Sequence, residues 1–422
     1  MLRDRRALEV DGLGATALEQ LSHPPRLGSR NYDRAVSLSP VRLRRMHDVL
    51  SGYVDRGELP GYVALVARQG AVHLDCAGYE RDAIFRLASM TKPIAAVAAL
   101  ILVEEGVIRL EDRVDGLLPE LAGLRVLRSI SSPVEDTVPA SRPITIRDLL
   151  TFTLGTGMVF AAPDTYPIQE AMQRSSFEVG LGRKPEAGEY LRRLAGLPLV
   201  HQPGEVWMYN TGSDLLGILI SRASGPSFGE FLAERIFDPL GMRDSGFWVP
   251  PENIDRLPTA YTPDEKTGKL KVQDDAAGGL FSRPPDLESG AGGLVASVDD
   301  FLLFARMLLD HGAAPGGRIV TRPTVEAMTS DQLPEEVKGR SPWSPGWLPI
   351  DGWGFGVGVV TRRYDGTLSP GAYGWNGGFG TTWRSDPKED MVVILMTQVA
   401  GTAEVPRVFG DFVTLAYAAI DD

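Results

Sequence analysis

The chain has 422 residues, 43% hydrophobic and 23% charged, ordinary values for a globular protein and enough for one large domain or two that share a core. Its net charge of −12 argues against a nucleic-acid partner, and no apolar run reaches membrane-spanning length. The single cysteine, Cys76, excludes an internal disulfide, and no apolar core of a signal peptide follows Met1-Leu2-Arg3-Asp4-Arg5-Arg6, so a cytoplasmic protein is expected.

Residues 1–37 read as an irregular N-terminal arm with a short helical piece near 15–21. Ser39-Pro40 opens a helix through Arg44, Met46, Val49 and Val54. Two apolar, β-rich runs at 62–68 and 71–76 are split by Gln69-Gly70, which predicts a hairpin. The run 94–103 is apolar on every side and predicts a buried helix that stops at Gly106. From 107 to about 250 the pattern is mostly helical. Thr145 and Asp148 form a capping-box pattern ahead of Leu149-Leu150. A loop-rich stretch, 155–183, carries a short helix after Pro167, and amphipathic helices follow at 186–195, 213–223 and 227–237. Residues 259–272 read as a hairpin. The glycine-rich run Ser289-Gly290-Ala291-Gly292-Gly293-Leu294 leads into a helix capped by Ser297 with Asp300. The tail offers strands at 353–362, 372–375, 381–385 and 391–397, then a closing helix over 404–419.

Strands at both ends with helices between them predict an α+β fold. Its antiparallel sheet is formed from N- and C-terminal strands flanked by helices, with a mostly helical inserted domain. The sheet unit is expected to comprise 38–106 and 290–422, and the helical insert 107–289. The five histidines show no metal-ligand spacing, so neither a metal nor a cofactor is expected.

The stretch that carries chemistry is Ser89-Met90-Thr91-Lys92-Pro93, immediately before the buried helix. Ser89 falls at or near its N-terminus, and Lys92, three residues on, shares its face. Pro93 falls close to the first turn, where a missing N–H costs least. A serine hydroxyl needs a base beside it to act as a nucleophile. A lysine buried beside a helix N-terminus has its charged form disfavoured by desolvation and by the dipole, and a neutral amine can take the serine proton. The same N-terminus offers backbone N–H groups to an oxyanion. Ser-x-x-Lys alone is common by chance. Two further stretches raise its weight: Pro203-Gly204-Glu205-Val206-Trp207-Met208-Tyr209-Asn210-Thr211-Gly212, and Gly374-Trp375-Asn376-Gly377-Gly378-Phe379-Gly380-Thr381.

Together these three stretches resemble the signatures of the serine β-lactamase-related family, which has the class C β-lactamase and penicillin-binding-protein fold. The nearest branch is the family VIII carboxylesterases, and the resemblance runs from about 62 to 410. It implies Ser89 as nucleophile, Lys92 as its base or proton relay, and Tyr209 as the residue that shares the base role and protonates the leaving group. A phenol beside a lysine is then expected to be held as phenolate. The resemblance also implies an oxyanion hole built from the N–H groups of Ser89 and Gly378. Trp375, Asn376, Gly377 and Asn210 follow as substrate-binding positions, and Phe152 and Phe379 are candidates for the pocket wall.

Two departures bear on substrate. Class C enzymes carry Tyr-x-Asn, whereas Thr211 stands two after Tyr209 and the asparagine is the adjacent Asn210. They also carry Lys-Thr-Gly third, whereas Trp375-Asn376-Gly377 stands here. Without that lysine the resemblance favours uncharged esters over β-lactams. The expected activity is a serine hydrolase that cleaves short-chain carboxylic esters of small molecules through an acyl-enzyme. Weak β-lactamase or DD-peptidase-like activity, and acyl transfer to a specific alcohol or amine, are alternatives on the same residues. Two other matches read as decoys. Lys266-Thr267-Gly268 lies in a polar run expected to be a solvated hairpin turn. Gly225-Pro226-Ser227-Phe228-Gly229 matches the nucleophile-elbow pattern but follows a helix, and Ser227 with Glu230 forms a capping box.

Overall fold

The computed structural model describes residues 38–177, 182–264, 266–341, 352–363, 366–401 and 404–422; the arm at 1–37 lies outside them. A seven-stranded, wholly antiparallel sheet runs in the order Gly352–Trp353, Gly358–Val359, Tyr373–Gly377, Thr381–Asp386, Met391–Met396, Tyr62–Arg68, Ala71–Ala77. The N-terminal hairpin and the C-terminal strands meet where Leu65 pairs with Ile394. The expected α+β architecture, with a sheet assembled from both ends of the chain, is therefore the observed one.

Alternation along the strands separates two cores. Val63, Leu65, Val392, Ile394 and Trp383 face one side and join the helices Thr91–Glu104 and Val298–Leu309. Ala64, Val66, Val393 and Leu395 face the other and meet the helices Pro40–Asp55 and Glu404–Ala418. Cys76 packs half-buried against the first core. That core also takes in Leu149 and Leu215 from the helical stretch, so sheet and insert share one apolar interior.

The helix Thr91–Glu104 buries twelve consecutive residues, Thr91 through Leu102, and ends where Gly106 takes φ +71°, left-handed backbone that glycine adopts without strain. The capping box of Thr145 with Asp148 forms as expected and opens the helix Ile146–Thr151. The expected strand over 353–362 is instead two short strands, Gly352–Trp353 and Gly358–Val359, separated by a bend. Gly354 there packs so tightly that a Cβ would fall 2.0 Å from the Met328 carbonyl. A further strand pair, Phe85–Arg86 with Val295–Ala296, ties the chain entering Ser89 to the segment after the glycine-rich run.

Candidate active site

Ser89 sits in one 3-10 turn, Ala88–Met90, directly ahead of the helix Thr91–Glu104. The turn is entered through Ala88 at φ +46°, and Asn210, directly after Tyr209, is at φ +87°. Such backbone costs a non-glycine residue about 1–3 kcal/mol, and it recurs where surrounding structure fixes a functional geometry. The hairpin Tyr373–Gly377/Thr381–Asp386 holds the turn from the sheet side. Thr381 Oγ1 donates to the Leu87 carbonyl at 3.0 Å, and a Cβ on Gly377 would fall 2.1 Å from that same carbonyl oxygen.

Lys92 is wholly buried. Its Nζ lies 2.9 Å from Ser89 Oγ and 2.5 Å from the Ala291 carbonyl oxygen, and 4.4 Å from the centre of the Tyr209 ring. Burial holds the amine's pKa well below its ordinary value. Tyr209 lies close enough to Ser89 for the serine to act on its phenol, and its hydroxyl accepts the indole N–H of Trp375 at 2.7 Å. Burial pushes the phenol above its ordinary value, while those two neighbours pull the other way. The net direction runs against a resting phenolate. Desolvation is the larger influence on both groups, disfavouring the charged amine and the charged phenol alike.

Behind Tyr209 stands an aromatic wall. Trp375 lies 5.6 Å from the Tyr209 ring and 4.6 Å from Trp353. Phe152 packs against Tyr209 at 5.7 Å and Trp353 at 4.8 Å, and Trp207 stacks on Tyr209 at 5.6 Å. Phe152 is fully buried within this aromatic cluster, behind the rings that neighbour Ser89 rather than open to a substrate.

Other residues proposed from the sequence fall elsewhere. Asn376 alternates to the opposite face of its strand from Trp375, where its Oδ1 accepts from Thr382 and from Arg384 at 2.7 and 2.9 Å. Phe379 lies in a separate core with Phe281, Ala88 and Val295. Asn210 is buried at the N-cap of the helix Thr211–Ser224. Gly378, by contrast, stays near Ser89: it is exposed in the turn directly after Gly377, the residue that abuts the Leu87 carbonyl two positions before the serine.

Both decoys take their bland form. Asp264 accepts from the amides of Lys266 and Thr267 in a hairpin turn, and Ser227 caps the helix Phe228–Leu232 with Glu230. Among the described residues no cluster of His, Cys, Asp or Glu is arranged to hold a metal, and no helix is long and apolar enough to cross a membrane.

The sequence reading missed a buried polar network beside Lys92. Asp214, on the helix Thr211–Ser224, accepts from Lys184 Nζ at 2.5 Å, from Ser289 Oγ at 2.5 Å and from the Tyr190 hydroxyl at 3.2 Å. Its partners come from three separate stretches, and the only sequence signal was the unexplained glycine-rich run at 289–293.

The sheet, the helix behind Ser89 and the facing Lys92 and Tyr209 define a β-lactamase/transpeptidase-like fold. Residues 46–416 match the family model described as Beta-lactamase, and the chain belongs to that family. Protein Rv1367c of Mycobacterium tuberculosis is 36% identical over 360 residues, covering 82% of this chain and 87% of that protein. Lovastatin esterase of Penicillium rubens is 32% identical over 326 residues, covering 74% and 78%. Among solved structures, EstCE1, titled a hydrolase with promiscuous acyltransferase activity, shares the fold at a TM-score of 0.72 and 24% identity, over 89% of this chain and 98% of that one.

Proposed function

We propose that the protein is a serine esterase acting on small, uncharged carboxylic esters through an acyl-enzyme on Ser89. The observation that carries this reading is the 2.9 Å contact between Ser89 Oγ and the Nζ of a wholly buried lysine. A neutral amine has two N–H bonds and one lone pair. One N–H is spent on the Ala291 carbonyl, and rotation of the amine about that bond lets either its second N–H or its lone pair face Ser89; the lone pair is the one that takes the Oγ proton. As Oγ bonds to the ester carbonyl carbon, its proton passes to Lys92 Nζ. The oxyanion that forms is held by the N–H groups of Ser89 and Gly378. The departing alkoxide takes a proton through Tyr209, whose phenol is close to Ser89 and whose ring centre lies 4.4 Å from Lys92 Nζ. Water then attacks the acyl-enzyme with the same groups in reverse order.

The substrate class rests on Trp375, whose side chain stands against Tyr209 and brings no charge. Arg384, the guanidinium of the same hairpin, is turned to the other face toward Asn376. The similarity to lovastatin esterase supports ester cleavage as the reaction. Labelling with a fluorophosphonate, followed by intact mass and peptide mapping, tests the assignment. One adduct on the Ser89 peptide, absent in Ser89→Ala, is the expected result; an adduct on Ser227 overturns it.

A further inference from the structure

The mechanism proposed above uses none of the buried charge at Lys184 and Asp214, yet both are near enough to the lysine it depends on to act on its charge. Both side chains are almost completely removed from solvent, and burying an ion pair is a weak way to gain stability. A purely structural staple needs no connection to the reacting groups. Here the connection is a single residue, Ala291. Its N–H donates to Asp214 Oδ1 at 3.3 Å, and its carbonyl oxygen accepts from Lys92 Nζ at 2.5 Å. Ser289 Oγ, two residues earlier, donates to the same Asp214 oxygen at 2.5 Å. Gly290, between them, is forced by this approach, since a Cβ would fall 2.2 Å from the Ser213 carbonyl of the neighbouring helix. The run Ser289-Gly290-Ala291 is thus clamped onto Asp214, and the clamp fixes where the Ala291 carbonyl meets Lys92.

We propose that Lys184 and Asp214 are a positioning pair for Lys92: Asp214 anchors the Ala291 carbonyl that orients Nζ, and Lys184 offsets the carboxylate charge that would otherwise hold Lys92 protonated. The inference rests on the reading of Lys92 as the base. A clamp made by Asp214 alone would place a bare carboxylate beside an amine that must be neutral to accept a proton. Lys184, 2.5 Å from Asp214, makes the pair neutral overall while leaving the hydrogen bonds to Ser289 and Ala291 in place. The opposed influences on Lys92 agree in sign, Asp214 raising its proton affinity and Lys184 lowering it. The other groups around Lys92 carry no charge. Ser89 and Tyr209 are neutral, Tyr190 is a buried phenol pushed up by desolvation, and Trp375 presents an indole. Arg384 faces away across the strand.

The test is the pH profile of kcat/KM for p-nitrophenyl acetate in Lys184→Gln, which keeps a donor toward Asp214, and in the nearly isosteric Lys184→Met. Removing the cation should move the acidic limb upward by about one pH unit, while the plateau at high pH stays within about threefold of wild type. Adding Asp214→Asn to either variant should bring the limb back to within about 0.3 pH unit of wild type. A structural role would lower the plateau without moving the limb, and the second substitution would deepen the loss. A folded Lys184 variant whose limb stays in place overturns the proposal, as does a shifted limb that Asp214→Asn fails to restore. Should neither Lys184 variant fold, Asp214→Asn alone decides: the limb should fall, and an unmoved limb overturns the proposal. The parent reading fails separately, if Lys92→Ala keeps kcat/KM within about tenfold of wild type.

Discussion

Tyr209 is a phenol whose protonation is contested by its neighbours. An indole N–H only donates, so Trp375 requires the Tyr209 oxygen to accept. That bond strengthens as negative charge develops on the oxygen during proton transfer. A hydrogen bond to a charged group contributes about 1.5–3 kcal/mol, and each 1.4 kcal/mol is about tenfold in rate. Trp375→Phe keeps a large ring but deletes the donor, so kcat should drop about tenfold to a hundredfold with KM within about threefold. A loss confined to KM would mean that the indole serves only as apolar contact. Lys92 makes the opposite kind of statement, about stability. Its pKa is lowered on folding, so below the ordinary lysine value the unfolded chain binds the extra proton and folding is penalised. The penalty shrinks as pH rises toward that ordinary value. Lys92→Met should therefore raise Tm at pH 7, on the order of several degrees, with a smaller gain near pH 10. Thermal melts at the two pH values check both the sign and the trend. The same substitution abolishes activity if the lysine is the base, which makes the site a place where function is held against stability.

At the scale of elements, what was legible in the sequence is what is local. The hairpin at 62–77, the Thr145 capping box and the apolar helix behind Ser89 are each decided within a dozen residues, and each formed as read. The three stretches that carry Ser89, Lys92, Tyr209 and Trp375 also hold those residues within a few positions of their glycines and prolines. What was illegible depends on contacts between distant segments. The strand expected at 353–362 breaks because Gly354 is drawn against Met328 and Gly356 takes φ +71°. Asn376 appears in a motif beside Trp375, but alternation turns it toward Arg384. The Lys184–Asp214–Ser289 network joins three stretches that no spacing rule connects. Gly377 shows how one position couples the two scales. Its missing side chain lets the sheet edge touch the Leu87 carbonyl just ahead of Ser89. Gly377→Ala would drive a methyl group into backbone rather than into a flexible side chain. We expect a destabilisation of about 1–3 kcal/mol, typical of overpacking. Activity should fall further than Tm implies, because the turn carrying Ser89 is displaced. Wild-type kcat/KM in a folded Gly377→Ala protein would show that the hairpin does not set the position of Ser89.

The whole molecule brings sequence-distant pieces to one point: a turn from the first quarter of the chain, a tyrosine from the middle and a hairpin from the last strands. The proposed preference for uncharged esters rests on the charge that assembly leaves there. Lys92 is already committed to Ser89 and Ala291 and burial disfavours its charge, Lys184 is paired with Asp214, and Arg384 lies behind the sheet. No cation is therefore offered to an anionic substrate by the residues around Ser89 described here. Burying an unpaired carboxylate costs several kcal/mol, which a wall of Phe152, Trp207, Tyr209, Trp353 and Trp375 does nothing to offset. We expect kcat/KM for p-nitrophenyl acetate or butyrate to exceed that for the anionic cephalosporin nitrocefin by about two orders of magnitude or more. Steady-state kinetics with one enzyme preparation gives the ratio, and placing a cation back on the hairpin probes its cause. Trp375→Lys should lower ester turnover, through loss of the indole donor, while narrowing the gap to nitrocefin. Equal efficiencies on the two substrates in the unaltered protein would mean that an anion is accommodated without a cation beside Ser89, and the β-lactam reading would then take precedence over the esterase.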